Sequence, residues 1–135
     1  MRYTVLIDGE AGGYGVVFPD LPGCTAMGDS VEEALINAGE AAVDWARAKR
    51  ERSAALPLPR AVDELRRDPE VVEALASGSA LATVPLIMDA GRTAKANLSL
   101  DAGVLAAMDA AAVRLHMSRS ALVEMMAKRT LPELA

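Results

Sequence analysis

The chain has one cysteine, one tryptophan, one phenylalanine and two tyrosines among 135 residues, and no long apolar run. A single cysteine, Cys24, excludes an intramolecular disulfide and any Cys-based zinc set. Cys24 has no base near it in sequence and reads as a small strand residue. The apolar stretch at the N-terminus is too short for a signal peptide and stops at Asp8. No run approaches the roughly 18 apolar residues of a membrane span. A soluble, cytoplasmic protein with no membrane partner is therefore expected. With few aromatics, its core must be built from Ala, Val, Leu, Ile and Met.

Net charge is −5, which by itself does not suggest a nucleic-acid binder. The distribution is uneven. Residues 1–90 carry 8 basic and 15 acidic side chains, a net of −7, whereas residues 91–135 carry 6 and 4, a net of +2. Two domains, 1–90 and 91–135, with partners of different sign, account for this step.

Residues 2–8 and 14–18 read as a hairpin across the glycines at 9–13. The Pro19-Asp-Leu-Pro-Gly23 turn leads to a short third strand at 24–27. These glycines lack phosphate-loop spacing, so no nucleotide cofactor is indicated. Ser30 and Glu33 have capping-box spacing at the start of a helix. Val31, Leu35, Ala38, Ala42 and Trp45 would share its buried face. Residues 60–76 form two short helical pieces split by Pro69. Residues 80–88 read as a fourth strand, whose Pro85 suits an edge. The expected fold is α+β: a βββαβ antiparallel sheet with helices on one face, then a separate tail.

In the tail, residues 93–100 alternate Lys95, Asn97 and Ser99 against Ala96, Leu98 and Leu100, the pattern of a strand. Asp101 caps a helix with Leu105, Met108, Ala112 and Leu115 on one side. His116-Met117 is the turn. Ser118 caps a second helix carrying Leu122, Met125, Met126 and Arg129. His116 has no catalytic partner in sequence and reads as a turn residue.

One strand and two helices cannot bury their apolar face alone, and pairing with a second copy would solve this. The paired strands would turn Lys95, Asn97 and Ser99 outward as a two-stranded ribbon. Such a ribbon fits the DNA major groove, where these side chains can read bases. Ser118, Arg119 and the start of the second helix would hold phosphate.

The strand-helix-helix order, with Asn-Leu-Ser-Leu-Asp at 97–101 and Met-Ser-Arg-Ser at 117–120, resembles the ribbon-helix-helix repressors. The stretch Phe18-Pro-Asp-Leu-Pro-Gly-Cys24 and then Gly28-Asp-Ser-Val-Glu-Glu-Ala-Leu35 resembles the HicB antitoxins. That resemblance implies a partial ribonuclease H-like front domain. It also implies a non-enzymatic antitoxin that covers a small basic HicA-type RNA-cleaving toxin and represses its own operon by binding operator DNA. The implied assembly is a homodimer through the tail, or a tetramer if front domains also pair. Asp8, Glu10, Asp20 and Asp29 are the candidate toxin-facing acids.

Two other readings stay open. One is a stand-alone ribbon-helix-helix regulator. The other is a metal-dependent nuclease of ribonuclease H type, which would need Asp8 to converge with Glu33 or Glu40 on the helix. No convergence is visible in the sequence, so no catalytic residue, metal ligand or cofactor is assigned.

Overall fold

Residues 1–134 are described by a computed structural model, in which the chain divides into two units, Met1–Met88 and Asp89–Ala135. The first unit is organised by one central strand. β1 (Arg2–Glu10) pairs antiparallel with β2 (Gly13–Val17) on one side and with β4 (Ala80–Pro85) on the other. β3 (Thr25–Gly28) extends the sheet beyond β2, giving the order β3-β2-β1-β4. β4 stops at Pro85 and lies at an edge, where a residue without an N–H is tolerated.

α1 (Val31–Glu51) starts at Ser30, whose Oγ accepts from Glu33 N at 3.1 Å. The reciprocal bond is offset by one residue, because Glu33 Oε2 accepts from Asp29 N at 2.9 Å. The helix ends with Ser53 at φ 55°. Ser53 N and Ala54 N donate to Arg50 O and Lys49 O, which satisfies carbonyls of the last turn.

The buried face of α1 includes Ala38 and Ala42 as expected but is shifted at its other positions. Val31 is exposed, and Leu35 and Trp45 only flank the contact. The seat is Ala34, Ala38, Ala42 and Ala46, all fully buried at a spacing of four. The sheet face beneath already carries Tyr3, Val5, Ile7, Val16 and Val84, so only methyl groups fit above it. Gly28 completes this approach, since a Cβ there would lie 2.4 Å from Ala34 N.

Helices occupy both faces of the sheet, a second departure from expectation. α2 (Val62–Leu65) and α3 (Pro69–Ala76) bring Leu65 and Val71 onto Leu6, with Leu81 beside them. The cause is the strand period: burying Tyr3, Val5 and Ile7 on one side turns Leu6 to the other, where it needs its own cover.

The second unit contains α4 (Ala102–Arg114) and α5 (Arg119–Leu134). Asp101 Oδ1 caps α4 by accepting from Gly103 N at 2.8 Å and Val104 N at 3.2 Å. His116 makes the turn at φ 54°, with His116 N and Met117 N donating to Val113 O and Ala112 O. Ser118 Oγ accepts from Ala121 N at the start of α5. Ala112 and Leu122 are the only buried hydrophobic residues of this unit among those described. The strand expected at 93–100 is absent from the single chain, where this stretch is exposed throughout. A strand needs a ladder partner, and no other strand lies among the described residues of this unit.

Gly28→Ala should cost about 1–3 kcal/mol, because the added methyl meets backbone of α1 that cannot move aside. Urea unfolding at neutral pH would measure it.

Candidate functional site

β1 pairing sets the geometry of the sheet face away from α1. Leu6, Val17 and Thr25 form one cross-strand row, and Asp8, Gly15 and Met27 the next. Gly15 leaves bare backbone under the Asp8 side chain: a methyl placed there would lie 3.3 Å from Asp8 Oδ1. α3 covers the β1 side of this face through Val71 and Leu6. The β2 and β3 side stays uncovered, with Val17 46% and Met27 71% exposed.

Where α3 begins, the covered and uncovered parts meet in a cleft of about 250 Å³. Leu6, Val17 and Val71 line it with apolar surface, and Asp8, Asp68 and Glu70 line it with carboxylates. Asp68 is committed. Its Oδ1 caps α3 by accepting from Glu70 N at 3.0 Å, and its Oδ2 accepts from Arg60 Nη1 at 3.0 Å. These bonds, that of Arg60 first, hold the Asp68 carboxyl below its ordinary value of 3.8. Among the described residues, Asp8 and Glu70 have no ion-pair partner.

The four expected toxin-facing acids divide. Asp8, Glu10 and Asp29 are exposed. Asp20 is only 7% exposed, and both of its oxygens are taken by Arg60, one by the backbone N at 2.8 Å and one by Nε at 2.5 Å. Its structural duty removes it from the surface that a partner could meet. Asp68, Glu70 and Arg60 were not singled out from the sequence. The Asp68-Pro69 step, a capping residue before a proline at the first helical position, was the available signal.

Asp8 does not converge with Glu33 or Glu40. Asp8 lies on the sheet face opposite α1, which carries Glu33 and Glu40, and Glu33 is spent on Asp29 N. Among the described residues, no group of three metal-ligating side chains gathers. Burial pushes the Cys24 thiol above its usual value, which suits packing rather than nucleophilic chemistry.

In the second unit, Lys95, Asn97 and Ser99 are exposed in the stretch that has no ladder partner. Arg119 is held by Asp109 through Nε at 2.7 Å and Nη2 at 2.9 Å, a side-on pair that keeps the Asp109 carboxyl low. Leu98, 65% exposed, and Leu100, 43% exposed, stand with Val104, Val113, Leu115 and Met126 as unburied apolar surface.

Comparison with known proteins accounts for both units. Residues 3–127 match the family described as HicB_like antitoxin of bacterial toxin-antitoxin system. The chain belongs to this family. Among solved structures, this HicB-like chain is similar to the Burkholderia pseudomallei antitoxin HicB, at 26% identity and a TM-score of 0.56, covering 97% of this chain and 98% of that one. It is also similar to a chain of the HicA3 and HicB3 toxin-antitoxin complex, at 28% identity and a TM-score of 0.53, covering 66% of this chain and 99% of that one. An uncharacterised 14.9 kDa protein of Haemophilus phage HP1 is 29% identical over 109 residues, 81% of this chain and 80% of that protein.

Asp68→Asn keeps a capping side chain but removes the charge. A folded carboxyl held below its unfolded value stabilises above that value and loses the contribution as pH falls through the lower, folded one. The melting-temperature gap between wild type and Asp68→Asn should therefore be widest near neutral pH and close progressively below the ordinary value of 3.8.

Proposed function

We propose that this HicB-like chain neutralises a HicA-type toxin with its first unit and represses its own operon as a DNA-bound dimer of its second. The carrying observation is that the family match runs through both units, from residue 3 to residue 127. A chain of a HicA3–HicB3 toxin-antitoxin complex is among the structures it resembles.

The surfaces support this division of work. The first unit offers an uncovered sheet face with Asp8 on it and Glu10 at the strand end, and Asp29 lies exposed beside α1. An acidic surface suits a toxin that must itself attract RNA phosphates. The second unit buries Ala112 and Leu122 and exposes a series of large apolar side chains. Exposed apolar surface on this scale marks an interaction surface, and a second copy supplies both the missing ladder and the missing cover. In the resulting ribbon, Lys95, Asn97 and Ser99 read bases in the major groove. Ser118 caps α5 and, with Arg119, lies at the phosphate-facing end of that helix. Asp109 orients the Arg119 fork and leaves guanidinium N–H groups for a phosphate oxygen.

Co-expression tests the antitoxin half. A short basic protein encoded beside this gene should arrest growth, and this chain should restore it. Arrest without rescue would leave only a DNA-binding regulator.

The DNA half makes separate demands. Leu98→Asp should leave the protein monomeric and abolish operator binding. Asn97→Ala should preserve the dimer, cost about 1–3 kcal/mol of operator affinity and relax the base preference. Arg119→Ala should weaken binding to every sequence and reduce the salt slope by about 1. Sedimentation and fluorescence anisotropy across a salt series measure these outcomes.

A further inference from the structure

We propose that the cleft between β1, β2 and the start of α3 receives one arginine side chain of the toxin, held between Asp8 and Glu70. This rests on the toxin-neutralising reading and adds to it the point of attachment. The volume of about 250 Å³ lies below the roughly 300–1,000 Å³ usual for small-molecule pockets, so it suits a single side chain.

The lining selects which one. Leu6, Val17 and Val71 give the lining an apolar part that suits a long aliphatic stem. Among the described residues Asp8 and Glu70 are exposed and have no ion-pair partner, whereas Asp68 in the same lining already serves Arg60. Two unpaired carboxylates on different elements match a planar fork with five donors better than a compact, strongly hydrated ammonium. Val17 lines the cleft and shares the uncovered sheet face with Met27, so a protein delivering the arginine has apolar area to rest on beside the cleft. Charge therefore supplies attraction and register, and the open sheet face supplies contact.

Two measurements test the assignment on the full chain. In the first, a capped Gly-Arg-Gly peptide is titrated against its citrulline counterpart, which has the same shape without the charge. The arginine peptide should give saturable NMR shifts at Val17, Glu70 and Val71, and these should be lost in Asp8→Asn/Glu70→Gln. In the second, that double variant should bind the toxin at least tenfold more weakly, with a flatter salt dependence and failed growth rescue. Glu40→Gln/Glu51→Gln, which removes the same charge from α1, should bind as wild type does.

Equal shifts from both peptides, or equal weakening by the α1 pair, would overturn the cleft. Wild-type rescue with an unaffected cleft variant would also overturn it while leaving the antitoxin reading intact. Saturable arginine binding by a chain that neutralises no toxin would sink the antitoxin reading and, with it, the identity of the occupant.

Discussion

Four methyl groups set the distance between α1 and the sheet. Ala34, Ala38, Ala42 and Ala46 are fully buried, and Gly28 presents bare backbone beside Ala34. The bulk needed to fill the core therefore comes from the sheet and its turn, through Tyr3, Phe18 and Leu21. An alanine contact buries little area per residue, so close approach must be secured in other ways. Trp45 Nε1 donates to Pro22 O at 3.0 Å, and Asn37 Nδ2 donates to Met27 O at 2.8 Å. Both bonds join α1 to the segment that enters and forms β3. Tyr3 crosses the core edge-on to Phe18 and donates its hydroxyl to Pro57 O at 2.6 Å, fixing the chain that leaves α1.

The other face of the sheet depends on charge as well as packing. Asp20 would be costly to bury alone, but Arg60 satisfies both of its oxygens and then reaches Asp68. This relay joins the double-proline turn to the first turn of α3. It anchors the start of α3, where Glu70 joins Asp8 in the lining of the cleft. The same network explains why acids that look equivalent in sequence differ in availability: Asp20 and Asp68 hold the scaffold, while Asp8 and Glu70 face outward.

Local chemistry was legible and tertiary choice was not. The β-branched runs announced the strands, and Ser30, Asp101 and Ser118 announced helix starts through bonds made within a few residues. Ala38 and Ala42 belong to both the expected and the observed face of α1, but the crowded sheet takes Ala34 and Ala46 in place of Val31, Leu35 and Trp45. The position of α2 and α3 could not be read from their few turns. It follows from Leu6 needing cover on the second face. The Asp20–Arg60 pair spans 40 positions, and the cleft that Asp8 and Glu70 both line draws on residues still further apart, so no local pattern encodes either. The stretch at 93–100 has the alternation of a strand but pairs with no strand among the described residues.

The order β3-β2-β1-β4 also has a consequence in time. β1 is made well before the strand that closes its second side, which begins at Ala80. At about 5–20 residues per second, the intervening chain takes on the order of 4–15 seconds to synthesise. During that interval Tyr3, Val5 and Ile7 lie on a strand with one open edge, and the first unit cannot finish folding. The first unit therefore closes only after Ala80–Pro85 has been translated, so its completion lags the synthesis of β1 by a delay set by the length of chain between the two strands.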